Sequence, residues 1–425
     1  TGCTGIGIRT ATAKFMATRQ GRGAGDAQLK IQVCIATDAL LANVLPALID
    51  RPDRVYLVTT DEMQVLASDL TRILDSEHIS SSVWRDASDG RWPGVADTAA
   101  RLSEHIRANH PDADVTVNIT GGLKPMAIGF IMGFKAVPHR TIYMDMRHGV
   151  INQLQLPPKP DLPIPDILDV RRYLLASGFR VDQVQSHDAR WRRDVEVVRE
   201  LTEYLANHWA KIGFLADALN SAAAAARDKY ENSGAPWLQP VKVPIREKLV
   251  LAHRHMMDKL VERKIVIWSE DAPTSMEILN YSWAQYLGGL WLEEYVFLQL
   301  TDLGLTDLAV GVSGTWQAGG VPQGANEFDV VATHHNRLLF VECKAGAFRV
   351  DQKIQDMFGK IDAIGNRAAG RFGSVMMVSP RTLKPAAAAR AAAGRIFVLD
   401  GTDITRVKEV VQRWIDGRKL ERPTT

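Results

Sequence analysis

Five short apolar runs near the start of the chain alternate with stretches of helical pattern, and that alternation limits the fold more than any other feature. The runs are 29–36 (LKIQVCIA), 54–60 (RVYLVTT), 79–86, 114–120 (DVTVNIT) and 140–145 (RTIYMD). Helices are expected over 39–49, over 97–109 and from Pro125 onward. Strands separated by helices imply a parallel, doubly wound α/β sheet. Strands of such a sheet are covered on both faces, which is why they read as apolar runs rather than as alternation.

The pattern breaks at 156–165, LPPKPDLPIP, with five prolines in ten residues. Proline fixes φ and removes a donor, so neither a helix nor a central strand is expected there. The stretch reads as an extended linker. From 166 to 274 the pattern is mainly helical, with one strand-like run at 264–269. A helix pair followed by such a strand resembles a winged-helix module; a helical spacer or the flank of the next domain is the alternative. From 275 to 425 the order is helix (281–300), three strands (308–313, 327–333, 338–344), helix, strand (374–379), helix, strand (395–400). Val350, Ile354, Met357, Phe358, Ile361 and Ile364 keep helical spacing. The alanine run at 386–393 is a strong helix former. No internal repeat is visible. The expected division is an uncertain N-terminal segment (1–28), a Rossmann-like domain (29–155), the linker (156–165), a connector (166–274) and a second α/β domain (275–425). That suits 425 residues, enough for about three domains or two large ones.

Composition excludes several classes. At 46% hydrophobic and 24% charged, the chain is neither disordered, collagenous nor a disulfide scaffold. The longest apolar stretch, 126–134, falls far short of the roughly 18 residues of a membrane-spanning helix. Cys3, Cys34 and Cys343 are too few for a disulfide framework, and a reducing cytosol is expected. Residues 1–28 lack the apolar core of a signal peptide; without an initiator Met they read as a truncated or misassigned start. With 51 basic against 49 acidic residues, any nucleic-acid site must be local.

The sharpest local signal is NEFDVVATHHNRLLFVECKAG, 326–346. Alternation puts Glu327 and Asp329 on one strand face, and Glu342 and Lys344 on one face of the next. A two-residue turn at His335–Asn336 would set Asp329 opposite Glu342 and Glu327 opposite Lys344, at Cβ separations of about 4.5–5.5 Å. Facing carboxylates repel, and a divalent cation removes that penalty. Oxygen-only ligands suit magnesium or manganese. Lys344 could orient or help deprotonate an attacking water, or stabilise charge on a phosphate. The bland alternative is a surface ladder with a Glu327–Lys344 ion pair. His334 and His335 are expected as exposed turn residues rather than metal ligands. On the preceding helix, GGLWLEEYVFLQL, Glu293 or its neighbour Glu294 adds an acid to an otherwise apolar segment; a solvated helix face is the alternative for either.

A second signal is NITGGLKPMAIGF, 118–130. A strand ends, two glycines turn, and Pro125 stands where a helix begins. Glycines let backbone N–H groups approach an anion at a helix N-terminus, and Lys124 adds a cation. The spacing is neither a Walker A loop nor the dinucleotide fingerprint. Thr37, Asp38 and Asn43 follow the first strand, and Thr59 and Thr60 close the second. All fall at the carboxyl edge, where open α/β sheets bind ligands. A tight strand-to-helix turn and ordinary helix caps are the alternatives.

The acid followed by Glu-x-Lys on a helix–three-strand–helix–strand core resembles the PD-(D/E)xK nuclease superfamily, whose members often carry an acid on the first helix; Glu293 is the choice here. Together with the TGGLKP turn and the proline linker, the chain resembles the CRISPR ancillary nucleases, whose CARF domain (CRISPR-associated Rossmann fold) senses cyclic oligoadenylate. The resemblance implies an N-terminal Rossmann-like CARF domain and a C-terminal restriction-endonuclease-like domain. It implies a cytoplasmic homodimer with one symmetric pocket for cyclic tetra-adenylate, lined by Thr37, Asn43, Thr59, Thr120, Gly121, Gly122 and Lys124. Binding would rotate the subunits and switch on a metal-dependent endonuclease that cuts single-stranded DNA or RNA and nicks supercoiled DNA in type III CRISPR defence. Asp329 and Glu342 would hold the metal, Lys344 would serve the nucleophile or scissile phosphate, and Glu293 would support the metal shell. Glu327 offers a second acid where the motif needs one. The rivals are a CARF transcriptional regulator without nuclease activity, a ring nuclease degrading its own ligand, and a repair- or restriction-type nuclease needing no activator. No His or Tyr at the expected edge commits to ring cleavage.

Overall fold

The computed structural model of the chain describes residues 28–37, 40–85, 92–232, 235–346, 351–369 and 373–421. Residues 1–27, Asp38, Asp86, Val350 and the side chain of Ile354 lie outside the described residues.

The N-terminal domain runs β1 (Lys30–Ile35), α1 (Leu41–Asp50), β2 (Arg54–Val58), α2 (Gln64–Ser76), β3 (Ser80–Trp84), α3 (Gly94–Asn109), β4 (Asp114–Asn118), α4 (Lys124–Gly133) and β5 (His139–Asp145). Strand order is β3-β2-β1-β4-β5, parallel throughout. The central β1 is apolar because both its faces are buried. The chain leaves β1 toward β2 and β3, then returns to its other side as β4. The reversal falls at the carboxyl ends of β1 and β4, where Thr37 and the Gly-Gly turn stand and where open α/β sheets bind ligands. β6 (Val150–Gln153) and the two-residue β7 (Leu162–Pro163) extend the sheet antiparallel. β7 lies inside the proline stretch and is the last strand of the sheet, the one place in a ladder that tolerates proline.

The expected connector is more than a connector. It holds α5 (Val170–Ala176), β8 (Phe179–Val184), the 44-residue α6 (Ala189–Asn232), β9 (Val241–Pro244), α7 (Glu247–Ala252), α8 (Arg254–Glu262) and β10 (Val266–Ile267), and its small sheet is completed by β11 (Ser275–Ile278), just past the expected boundary. The end of α6, β9, the α7–α8 pair and the β10–β11 hairpin follow the order of a winged helix, in a sheet ordered β10-β11-β9.

The expected helix at 281–300 is two helices, α9 (Tyr281–Gln285) and α10 (Trp291–Leu300), joined by a π-type turn in which Gly289 has φ 133°. Then come β12 (Asp307–Ala318), β13 (Val321–His334), β14 (Arg337–Cys343), α11 (Asp351–Ala369), β15 (Ser374–Ser379), α12 (Pro385–Ala393), β16 (Ile396–Asp400) and α13 (Val407–Ile415). The sheet order is β16-β15-β14-β13-β12-β8. β8 thus belongs to this sheet, against the expected division at residue 274. Phe179 of β8 meets Trp316 and Phe328 edge to face at 5.0 Å each, and Phe328 meets Phe340 at 5.1 Å. Edge-to-face pairs add roughly 0.5–1.5 kcal/mol each beyond burial, so β8 is locked to the sheet. β12 and β13 outrun the expected strands because Gly319 and Gly320, both at positive φ, turn them tightly. Among the described residues no helix is long and apolar enough to cross a membrane.

Candidate functional site

The β13–β14 hairpin turns at His335 and Asn336, with φ 49° and 55°, and pairs Thr333 with Leu338 and Val330 with Val341. This is the register read from the sequence. Beyond Val330 the ladder stops. The Asp329 carboxylate accepts the Cys343 N–H at 2.7 Å, and the Lys344 N–H turns to Val378 of β15 at 2.9 Å. Glu327 therefore does not pair with Lys344, contrary to the extrapolated register. The Lys344 ammonium instead lies 2.5 Å from Glu342 and 3.9 Å from Asp329.

These groups open on a cleft of about 860 Å³ that also exposes Glu327, Asn326, Thr315 and, from α11, Lys360. Side-chain exposure is 17% for Asp329 and 16% for Glu342, too little for a solvated surface ladder. Burial, then the neighbouring Glu342 charge, pushes Asp329 up to about 7, against the opposing pull of Lys344 and the Cys343 N–H. Burial works against the Lys344 charge, but Asp329 and Glu342 outweigh it and hold the ammonium well above the ordinary lysine range.

Glu293 and Glu294 separate cleanly, since adjacent helix residues point about 100° apart. Glu293 shares the field of the hairpin: burial first, then Asp329 and Glu327, raise its carboxyl well above the usual range. Glu294 faces α6. Burial and Asp194 push it up to about 8, and its Oε2 has no hydrogen-bond partner. His335 is an exposed residue of the turn, as expected, whereas His334 is the last residue of β13, half-buried and paired with Arg337.

Among the described residues no ready-made cluster of three His, Cys, Asp or Glu ligands is present. The donor set nonetheless fits a divalent cation. Asp329, Glu342 and Glu293 are crowded carboxylates, and Asp329 and Glu342 already draw the Lys344 ammonium to them.

At the sensor edge, Gly121 packs so tightly that a Cβ would stand 2.6 Å from Thr37 Cγ2 and 2.7 Å from the Ile35 carbonyl. Gly122 has φ 81° above the Ile35 side chain. Thr120 Oγ1 donates to Asn118 Oδ1 at 2.6 Å and accepts from Met144 N–H at 2.9 Å. Lys124 is exposed at the first turn of α4. Asn43 and Thr59 are each 1% exposed; Asn43 donates to the Ile35 carbonyl and Thr59 to that of Thr60, both at 2.9 Å. They shape the strand ends from beneath. Sequence reading missed three groups here. Asn118 anchors the turn by donating to Ala42 O. Arg147 and His148 follow β5 on the same edge, with His148 Nδ1 2.7 Å from Asp145, a contact that holds the Asp145 carboxyl below its usual range. Their signal was a short turn, DMRHG, after the last parallel strand. Lys360 was missed because its helix reads as core.

The two halves of this geometry are matched by known families. A sequence profile of the Card1 CARF domain matches residues 31–168, and one of the Card1-like endonuclease domain matches 282–417. The chain belongs to the CARF-domain nucleases of CRISPR systems. Its CARF domain carries the Gly-Gly turn, and its endonuclease domain carries the acidic hairpin and α10. Among solved structures, protein VC1899 from Vibrio cholerae aligns with a TM-score of 0.79 at 18% identity, covering 92% of this chain and 100% of that one. Can2 from Sulfobacillus thermosulfidooxidans, in complex with cyclic tetra-adenylate, gives 0.69 at 22% identity, covering 91% and 99%. A type III CRISPR defence DNA nuclease activated by cyclic oligoadenylate gives 0.50 at 15% identity, covering 88% of this chain and 50% of that one. Identities this low establish a shared fold. A search of curated proteins finds no match.

Proposed function

We propose that the chain is a metal-dependent endonuclease of type III CRISPR defence, acting in the cytoplasm as a homodimer that cyclic tetra-adenylate activates. It cuts single-stranded DNA or RNA and nicks supercoiled DNA. The carrying observation is the Asp329–Glu342–Lys344 group, largely buried yet open to the cleft, on the same chain as a glycine turn built for anions.

Magnesium or manganese would be held by Asp329 and Glu342, with Glu293 beside them, and would supply Lewis-acid charge and a more acidic bound water. The protein supplies the rest. Lys344, fixed between carboxylates in its charged form, stands where a phosphate or attacking water needs a cation. Lys360, across the cleft, suits the phosphate backbone of the bound strand. The Lys360→Ala variant should raise KM about tenfold with kcat little changed, as expected for uniform substrate binding; an unchanged KM in steady-state cleavage assays removes Lys360 from the interface.

The homodimer is supported by α4. Ile128, Ile131 and Met132 are exposed on it beside Leu123, an apolar face adjoining the glycine turn. A second copy covering that face would bring two Lys124 side chains to one symmetric pocket. Lys124→Ala should weaken ligand affinity roughly tenfold by calorimetry and activation with it, the scale of a charge-assisted phosphate contact. Normal activation of that variant sinks the assigned role.

The decisive test mixes the protein with manganese and single-stranded DNA or RNA, with and without cyclic tetra-adenylate, beside Asp329→Ala. Cleavage that needs both ligand and Asp329 supports the whole reading. Ligand-independent cleavage leaves the nuclease and removes the sensor. Ligand binding without any cleavage moves the assignment to a regulator. The winged-helix region argues against that rival: the groove beside α8 gathers Asp258, Glu262 and Glu270 around Arg254, a poor match for a phosphate backbone. The Asp145–His148 pair favours a second activity, slow cleavage of the bound ring, and an arm with ligand alone reads it.

A further inference from the structure

We propose that the end of the proline linker clasps the tip of the β13–β14 hairpin and carries the state of the sensor edge into the cleft, with Asp166 and Asn336 as positioning residues. This rests on the function proposed above.

The clasp is reciprocal. Asp166 accepts the His335 and Asn336 N–H groups at 3.0 and 3.1 Å, and also the Thr306 hydroxyl. Asn336 answers with its side chain. Its Oδ1 accepts the Ile167 and Leu168 N–H groups at 3.1 Å each, and its Nδ2 donates to the Pro165 carbonyl at 2.8 Å. A hairpin tip ordinarily faces water; this Asn336 is 1% exposed. A two-residue turn at positive φ needs no such partner, since Gly or Asn alone satisfies it. These hydrogen bonds therefore do something other than make the turn: they tie two segments some 170 residues apart in sequence.

Each side of the clasp leads to a site. Upstream, Ile164 N–H donates to the Gly149 carbonyl at 2.9 Å, and β7 pairs with β6 through Ile151 and Leu162. β6 pairs with β5 through Met144 and Ile151. Met144 N–H in turn donates to Thr120 Oγ1, beside Gly121. Downstream, the β13–β14 ladder runs from the clasped turn to Val330 and Val341, next to Asp329 and Glu342. A continuous hydrogen-bonded course thus joins the glycine turn to the carboxylates. A shift of the linker would be felt at the hairpin tip, and a hairpin's register decides which face its side chains occupy.

The test uses the full-length protein. Asn336→Gly keeps a residue at ease at positive φ and deletes the side-chain half of the clasp. Asp166→Asn keeps the shape and removes the charge. Measured are cyclic tetra-adenylate affinity by calorimetry, the melting curve, and the ratio of cleavage rates with and without ligand. The expected result is wild-type affinity and a single cooperative melt, with the ratio reduced roughly tenfold or more, as for lost coupling between sites. A wild-type ratio in both variants overturns the coupling. Equal loss of cleavage with and without ligand marks plain structural support and overturns it too. A wild-type protein whose cleavage ignores the ligand overturns the function proposed above, and the coupling with it.

Discussion

Asp329→Asn should lower ligand-activated cleavage by about a thousandfold or more, the scale lost when one member of a catalytic unit is removed. The substitution is nearly isosteric, and its side-chain carbonyl can still accept the Cys343 N–H that Asp329 accepts now. What disappears is one negative charge beside Glu342, Glu293 and Lys344. Two consequences separate this loss from misfolding. Without metal, the variant should melt at or above the wild-type temperature, because a crowded buried carboxylate costs folding energy. With manganese, the wild type should gain melting temperature by mass action and the variant should gain much less. Cyclic tetra-adenylate affinity should stay unchanged. Undiminished cleavage by Asp329→Asn removes Asp329 from the reaction. A lower metal-free melting temperature makes its role structural.

Gly121→Ala should abolish activation while leaving ligand-independent cleavage at its basal level. The new methyl would meet Thr37 Cγ2 at 2.6 Å and the Ile35 carbonyl at 2.7 Å, closer than real Cβ contacts come. The Thr37 side chain could rotate away, but the Ile35 carbonyl belongs to the central strand and accepts the Asn43 amide. The turn itself must move, at a cost of about 1–3 kcal/mol for overpacking. Moving it displaces the backbone N–H groups that an anionic ring would use. Ligand affinity by calorimetry should fall at least tenfold, and denaturant unfolding should show the smaller stability loss. Wild-type affinity in this variant takes the glycine turn out of the ligand site.

The legible parts of the molecule were those whose chemistry is local. Asn at 336 tolerates positive φ, and alternation then puts Asp329 and Glu342 beside each other, so the hairpin and its register could be read residue by residue. The extrapolation failed one step later, at Glu327 and Lys344, because Asp329 takes the Cys343 N–H and β15 claims the Lys344 N–H. β8 escaped notice because its pairing partner lies about 130 residues away, and nothing within FRVDQV names it. The choice between Glu293 and Glu294 is a rotation about one helix, visible once α6 covers one side and the hairpin the other.

By itself the sequence determined the parallel sheet, the glycine turn, the acidic hairpin and the proline break, since each follows from backbone freedom and side-chain period within a few residues. Only the tertiary structure decided that the break is a clasp rather than a loose tether, that Lys344 stands between two carboxylates, and that His148 shares an edge with Thr120. Those are encounters between distant segments. They depend on how whole sheets and helices bury their apolar faces against one another, a global balance that no short stretch of sequence carries.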